Sequence, residues 1–251
     1  MKDKPGNIYQ LLRHAMTAQV EMGVGELIIN RKNVKKTAAS PAPIATPVTA
    51  GESDLFASES HGPATVQYES VEAHRRAICE CQLCPLGATR NKFVYGAGNI
   101  NADLMFIGEA PGADEDRLGE PFVGRAGKLL DRILAAIQFT RDDIYIANIL
   151  KCRPPGNRDP LPAEEEKCLP YLLEQIHLIQ PKLLCALGRV AAQKLLKTTT
   201  PLGKLRGRWH DFHGVPMLVT YHPAALLRFP TYKRDTWEDM QLLRAQYDSL
   251  R

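Results

Sequence analysis

The sequence predicts an α/β fold, a three-layer sandwich with a central, mainly parallel four-stranded sheet and helices on both faces. Short apolar runs bounded by turn residues are typical of buried parallel strands, and they occupy residues 104–108, 144–149, 182–187 and 216–220. Helical patterns alternate with these runs, at about 126–138, about 162–179, about 189–196 and about 235–249. Strands that alternate with helices favour a parallel sheet covered on both sides.

The N-terminal quarter is predicted to lie outside this fold. Apolar spacing from Ile8 to Met22 predicts a short helix within residues 1–30, and this helix is a candidate binding segment for a protein partner. Residues 31–66 are rich in Lys, Ala, Ser, Pro and Thr, a composition that cannot bury a core and indicates a disordered linker. The folded domain is therefore expected at 67–251.

The first strand runs directly into a turn that carries one carboxylate. Leu104 to Gly108 is followed by Glu-Ala-Pro-Gly, and glycines at 108 and 112 permit close approaches that a side chain would prevent. Ligands bind beyond the carboxyl ends of strands in open parallel sheets, so Glu109 is the first candidate site residue. Asn148 lies near the end of a second predicted strand and His222 follows another, so both should reach the same edge.

Charge and composition favour a cytoplasmic protein with an anionic partner. No apolar run approaches the roughly 20 residues of a membrane helix, and Arg13 and His14 interrupt the apolar stretch near the N-terminus, which argues against a signal peptide. The net charge is +4, but residues 182–234 hold ten Lys or Arg against one acid, Asp211. Such a segment suits a polyanion or forms a solvated basic surface.

The cysteines favour a metal site over disulfides. Six cysteines in an intracellular chain are typical of metal binding, and four of them form the pattern C-x2-C-x67-C-x15-C, with Cys81, Cys84, Cys152 and Cys168. Four thiolates suit zinc or an iron-sulfur cluster, and the spacing does not choose between them. Ordinary buried cysteines are the alternative. Of the two others, Cys185 lies within a strand and Cys79 could compete with Cys81.

Several motifs, in this order, resemble the family 4, iron-sulfur type of uracil-DNA glycosylase. The resemblance covers residues 76 to about 243. It rests on Cys81-x-x-Cys-Pro-Leu, Thr89-Arg, Gly108-Glu-Ala-Pro-Gly, Pro121-Phe-Val-Gly-x-Ala-Gly, Asn148, Lys151-Cys-Arg-Pro-Pro-x-Asn-Arg, Cys168 and His222-Pro-Ala-Ala-Leu-Leu-Arg. It implies a monomeric DNA repair enzyme that flips uracil out of DNA and hydrolyses its N-glycosidic bond. It also implies a [4Fe-4S] cluster on Cys81, Cys84, Cys152 and Cys168.

The chemistry that this resemblance implies assigns roles to individual residues. Phe122 would stack on the flipped base and Asn148 would read its O4 and N3–H edge. His222 would stabilise the departing uracil, and Glu109 would position water or stabilise the cationic sugar. Other branches of the superfamily carry a carboxylate one position later, where this chain has Ala110, so Glu115 and Asp116 are alternates for Glu109.

The remaining predicted contacts surround this pocket. Gly108, Ala110 and Gly112 would complete the substrate site, and the predicted DNA contacts are Arg153, Arg158, Arg206, Arg208 and Arg228. The cluster has no evident redox task in hydrolysis, so it is interpreted as a structural clamp. Two rival interpretations are a non-catalytic nucleic-acid-binding module of the same fold and the superfamily branch that becomes trapped on uracil-DNA. The His-containing insertion of that branch is missing between Lys151 and Cys168.

Overall fold

The structure is a computed structural model that describes residues 68–250. The predicted helix from Ile8 to Met22 and the predicted linker at 31–66 lie outside the described residues.

Six strands form one mixed sheet. They are β1 (Ala97–Gly98), β2 (Leu104–Gly108), β3 (Tyr145–Asn148), β4 (Leu183–Leu187), β5 (Trp209–Phe212) and β6 (Val215–Thr220). Their order across the sheet is β1-β3-β2-β4-β6-β5. The four central strands pair in parallel, while β1 and β5 pair antiparallel with β3 and β6. The sheet is therefore mainly parallel.

The prediction of a four-stranded sheet was wrong in the number of strands. The four predicted strands are the parallel centre, but two short edge strands were missed. β1 has only two residues, and its position depends on pairing with β3. β5 reads Trp-His-Asp-Phe and joins β6 through His213 and Gly214, which both have positive φ (50° and 84°). Two residues with positive φ are typical of a tight hairpin turn whose twist matches its strands.

Nine α-helices occur within residues 68–250. They are α1 (Val71–Ile78), α2 (Leu86–Thr89), α3 (Ala113–Leu118), α4 (Arg125–Ala136), α5 (Pro162–Ile179), α6 (Arg189–Leu195), α7 (Leu202–Leu205), α8 (Pro223–Arg228) and α9 (Tyr232–Asp248). The predicted helices correspond to α4, α5, α6 and α9. The five that the sequence did not predict are short, with four to eight residues each, and short helices show little apolar periodicity.

Two clusters of buried side chains take alternate residues of the central strands. Met105 and Ile107 of β2 pack into one cluster with residues of α1, α2, α5, α6 and α7. Leu104 and Phe106 pack into the other with residues of α4, α8 and α9. Successive side chains of a strand point to opposite faces, so each face of the sheet is covered by helices. No helix among the described residues is long and apolar enough to cross a membrane.

Candidate active site

A cavity of about 530 Å³ lies beyond the carboxyl edge of the parallel strands. It brings together residues that follow three different strands, as expected from the sequence. Nine predicted residues line it: Glu109, Ala110, Gly112, Phe122, Asn148, Arg158, His222, Arg228 and the alternate Glu115. Gly108 lies beneath it at the end of β2. This cavity is the candidate active site.

Gly108 allows two of the lining side chains to approach the sheet. It pairs with Asn148 across β2 and β3. A Cβ atom at position 108 would lie 2.7 Å from Cζ of Phe122 and closer still to Oδ1 of Asn148. Real atoms do not approach so closely, so any side chain here would displace both residues. Glycine is therefore required for the shape of the cavity floor.

The Asn148 side chain has an unsatisfied acceptor. The residue is 2% exposed, and its Oδ1 has no hydrogen-bond partner within the structure. Among residues 68–250 only one other buried side-chain polar atom, Nε2 of His74, is in this state. A buried acceptor without a donor costs about 1–3 kcal/mol, so such atoms are rare unless a ligand supplies the donor. Asn148 lines the cavity, and its unpaired Oδ1 indicates a ligand with an N–H group.

Phe122 is held in an uncommon backbone conformation. Its φ is 55° and its side chain is 5% exposed. Arg141 donates hydrogen bonds to the carbonyl groups of Pro121 (3.0 Å) and Phe122. Backbone strain of this kind costs on the order of 1–3 kcal/mol and persists where surrounding contacts impose it. These contacts fix a flat aromatic face in the cavity, with its centroid 5.4 Å from the His222 ring.

Both alternate carboxylates are committed to backbone contacts. Oε1 of Glu115 accepts hydrogen bonds from the N–H groups of Val123 and Gly124, each at 2.9 Å. Asp116 is 2% exposed and accepts from the backbone N–H of Asn91 at 2.9 Å. Glu115 therefore stabilises the loop after Phe122, and Asp116 anchors the chain before β1.

Glu109 is a lining carboxylate with strongly perturbed acidity. It is half-buried, and burial raises its pKa to about 7. The negative charge of Asp159 raises this pKa further, whereas the positive charge of Arg189 lowers it. A carboxylate with a pKa near neutrality suits proton transfer or activation of water at physiological pH.

His222 is held as a neutral donor. Its Nδ1 accepts a hydrogen bond from the backbone N–H of Ala224 at 3.1 Å, at the start of α8. In a neutral ring the proton must then be on Nε2. Burial, followed by the charge of Arg228, lowers the pKa of His222 to about 4. Gly188 allows the chain to approach His222 closely, because a Cβ atom at position 188 would lie 2.9 Å from Cβ of His222.

The predicted DNA-binding arginines have different environments. Arg228 is exposed at the cavity, and Arg208 is exposed before β5. Arg153 donates to Oδ1 of Asn157 at 2.7 Å, and Arg158 binds Glu164 at 2.6 Å. Arg206 is different because its side chain is only 17% exposed and binds Asp239 at 2.6 Å, which gives it a structural role that the sequence did not predict.

Two charged residues that the sequence analysis missed line the cavity. Arg189 and Asp159 line it and form an ion pair at 2.6 Å. Arg189 follows the carboxyl end of β4, so the reasoning that selected Asn148 and His222 could have found it. Asp159 directly follows one of the motifs. Its proximity to the cavity depends on the path of a loop without regular periodicity.

The four cysteines of the predicted metal site lie near one another. Burial raises the pKa of Cys152 to about 11, and Cys84 and Cys81 raise it further while Arg90 lowers it. Burial also raises the pKa of Cys168 to about 12, with additional effects from Cys152 and Cys84. Arg90 contacts two of these cysteines, since its Nη1 donates to the carbonyl oxygen of Cys81 at 2.5 Å and to Sγ of Cys152 at 3.6 Å. Within residues 68–250, however, no group of three or more His, Cys, Asp or Glu side chains is arranged to hold a single metal ion.

Hydrogen-bond donors surround three of these sulfur atoms. Sγ of Cys81 accepts from the Tyr171 hydroxyl (3.3 Å) and from the backbone N–H of Leu83 (3.4 Å). Sγ of Cys168 accepts from the backbone N–H of Lys151 at 3.3 Å, and Sγ of Cys152 from Arg90 at 3.6 Å. Donors directed at sulfur stabilise thiolates. Cys79 instead donates to the carbonyl group of Arg76.

Comparison with known proteins agrees with this geometry. Residues 95–241 match the model of the uracil DNA glycosylase superfamily, so the chain belongs to that superfamily. The superfamily contains several types, including type 4 and type 5. The chain is 40% to 43% identical to type-4 enzymes and covers more than four fifths of their length, so it belongs to the type-4 uracil-DNA glycosylases.

Three relatives illustrate the similarity, and each is a type-4 uracil-DNA glycosylase. The protein from Archaeoglobus fulgidus is 43% identical over 181 residues, which is 69% of this chain and 91% of the relative. The protein from Pyrobaculum aerophilum is 40% identical over 173 residues, 66% of this chain and 88% of the relative. The protein from Saccharolobus solfataricus is 43% identical over 181 residues, 68% and 84% respectively.

Proposed function

We infer that this protein is a DNA repair hydrolase that excises uracil from DNA, releasing the free base and leaving an abasic site. One observation carries the assignment of the site beyond family membership. The buried Oδ1 of Asn148 lacks a donor, and it lies in a cavity that Glu109, Phe122 and His222 also line. Uracil offers an N3–H donor between two carbonyl groups, so it complements an amide that presents both an acceptor and a donor.

Recognition of the base is assigned to the floor of the cavity. A base in duplex DNA must be unstacked before its glycosidic bond can be reached, at a cost of a few kcal/mol. The aromatic face of Phe122 replaces part of the lost stacking. Oδ1 of Asn148 accepts from N3–H of uracil, and its Nδ2 donates to O4. Cytosine presents an amino group in place of O4. This group and Nδ2 of Asn148 are both hydrogen-bond donors, so cytosine is rejected.

Bond cleavage develops negative charge on uracil, and His222 is placed to stabilise it. The Nδ1 contact with Ala224 leaves Nε2–H as the donor, directed in this proposal at O2 of uracil. A neutral imidazole retains its proton throughout the reaction. It stabilises the anion through a hydrogen bond without protonating it, because a preorganised donor is most effective where charge develops.

Glu109 is assigned to stabilise the positive charge that develops on the sugar. The sugar becomes cationic as the bond breaks, and an ionised carboxylate beside it stabilises that charge and positions the attacking water. Support comes from its place in the cavity and from the backbone contacts that occupy Glu115 and Asp116.

DNA contacts are assigned to the exposed arginines around the cavity. Arg228 and Arg208 are exposed, while Arg153 and Arg158 lie on the loop beside the cavity. Phosphate contacts position the duplex and the pocket provides specificity. We leave Arg206 out of this group, because its side chain is only 17% exposed and is paired with the fully buried Asp239, whereas Arg158 is paired with Glu164 but is 38% exposed. The enzyme is expected to act on DNA as a monomer.

A [4Fe-4S] cluster is assigned to Cys81, Cys84, Cys152 and Cys168. Their mutual proximity and the donors directed at their sulfur atoms fit such a group. When bound, the cluster would cross-link the segment before α2, which carries Cys81 and Cys84, to Cys152 in the loop after β3 and to Cys168 within α5.

A single-turnover assay tests the proposal. Oligonucleotides that carry one uracil, one cytosine or one thymine are incubated with excess enzyme, and abasic sites are detected by alkaline cleavage. Strand cleavage only at uracil is expected. A protein that binds these oligonucleotides but releases no base would be the non-catalytic module, and the proposed function would be wrong.

A further inference from the structure

One fully buried lysine connects the cysteine-bearing loop to the candidate base-reading residue. Lys151 is 0% exposed, and its Nζ donates to the carbonyl oxygen of Asn148 at 2.8 Å and to Oε1 of Gln175 at 2.5 Å. Its backbone N–H donates to Sγ of Cys168 at 3.3 Å. Lys151 therefore contacts the candidate base-reading residue, Asn148, through its side chain and the predicted metal ligand, Cys168, through its backbone.

Gln175 provides a rigid anchor for the lysine. It belongs to α5 and is also 0% exposed. Its Nε2 donates to the carbonyl oxygen of Tyr95 at 2.9 Å. A side chain whose donor and acceptor are both engaged cannot rotate without losing hydrogen bonds in the core. The Lys151 side chain therefore has a fixed reference point on one side and Asn148 on the other.

The backbone after Asn148 is coupled to the turn that carries Glu109. The N–H of Ile149 donates to the carbonyl group of Gly108, and the N–H of Leu150 donates to that of Glu109, both at 3.0 Å. A shift of the Asn148 peptide would therefore disturb both sides of the cavity.

Packing alone does not explain this lysine. Burial of an amine is costly unless it is well hydrogen-bonded, and apolar residues of similar volume usually stabilise a core at least as well. A methionine would fill the same space without that cost. What methionine cannot do is donate to the carbonyl group of Asn148 and fix the orientation of that peptide.

We propose that Lys151 is a positioning residue for uracil recognition, which holds the Asn148 peptide so that its carboxamide faces the base. The proposal rests on the base-reading role proposed above for Asn148. It also explains how the cysteine-bearing loop can influence the pocket. Lys151 forms a hydrogen bond with Sγ of Cys168 through its backbone and orients Asn148 through its side chain.

The test compares Lys151→Met with Lys182→Met. Lys182 forms an exposed ion pair with Asp103, so it controls for the loss of a lysine. The main measurement is the inhibition constant of free uracil in the excision assay. We expect Lys151→Met to raise it by on the order of tenfold, because a misaligned Asn148 carboxamide forms weaker hydrogen bonds with uracil. Affinity for abasic-site DNA and iron content should match the wild type.

A merely structural role predicts a different result. Partial unfolding would reduce the active fraction and leave the inhibition constant of uracil unchanged, and that outcome would overturn the proposal. If Lys151→Met does not fold, the inhibition constant of free uracil is measured for Gln175→Met instead. It retains the lysine and removes its anchor, so an unchanged constant there would also overturn the proposal.

Amide hydrogen exchange separates this proposal from the proposed activity. Exchange at Ile149 and Leu150 should be faster in Lys151→Met than in the wild type, with no change at Leu218 in β6. If the wild type releases no uracil, the proposed function fails, and this measurement alone decides whether Lys151 fixes the strand end. Unchanged exchange at both amides would refute the link.

Discussion

The raised pKa of Glu109 predicts how the excision rate depends on pH. A carboxylate with a pKa of about 7 is ionised to about nine tenths at pH 8 and about one tenth at pH 6. If the ionised form acts, the single-turnover rate should fall about tenfold between these pH values. His222, whose pKa is about 4, remains neutral throughout this interval and does not distort the profile.

The charges around Glu109 predict shifts in opposite directions. Asp159→Asn removes a negative neighbour and releases Arg189 from its 2.6 Å ion pair, so the pKa of Glu109 should fall and the rate at pH 6 should rise. Arg189→Met removes the opposing positive charge, so the pKa should rise and the rate at pH 6 should fall. Glu166→Gln removes an exposed acid of α5 and serves as the control.

Rapid-quench assays with excess enzyme, at pH values from about 5.5 to 8.5, would measure these profiles. Glu109→Gln should be slow at every pH, with no midpoint near 7. The reasoning is refuted if the wild-type profile is flat, or if Asp159→Asn and Arg189→Met shift the midpoint in the same direction.

Further predictions concern the other groups. His222→Ala should lower the single-turnover rate by on the order of 100-fold or more, with little change in DNA binding measured by fluorescence anisotropy; equal rates would remove His222 from the mechanism. Asn148→Asp should reduce the preference for uracil over cytosine, because a carboxylate accepts from the cytosine amino group and cannot donate to O4; an unchanged ratio of rates would exclude this role. The purified protein should be brown, and Cys152→Ala or Cys168→Ala should lose both iron and folding stability; a colourless protein with stoichiometric zinc after anaerobic preparation would contradict the cluster. Removal of residues 1–64 should leave excision of a short oligonucleotide intact, and loss of activity would place part of the enzyme in that segment.

Features encoded by neighbouring residues could be predicted from the sequence. The bounds of α5 were predicted correctly, because Pro162 at its first turn and Glu164, which accepts from the backbone N–H of Leu161, define its start locally. The cavity could also be predicted, since the carboxyl ends of parallel strands share one edge. This rule alone brought Glu109, Asn148 and His222 together.

Contacts between distant residues could not be predicted. Arg206 looked like another DNA contact in a basic segment, but its partner Asp239 lies 33 residues further along. The ion pair of Arg189 with Asp159 spans 30 residues. Strand β1 has only two residues, and its place depends on β3. In each case the determining interaction arises from the folded arrangement.

The unpartnered acceptor of Asn148 has a consequence for the evolution of this chain. Without a ligand, the fold carries a buried group whose desolvation costs about 1–3 kcal/mol, a large share of the 5–15 kcal/mol by which typical domains are stable. Selection for heat resistance alone would favour an apolar residue at position 148, and the resulting protein would be more robust but unable to distinguish one base from another. Persistence of the asparagine in a lineage would therefore indicate continued selection for the reaction. Its replacement by leucine would be an early sign that a gene copy is no longer under selection for that activity.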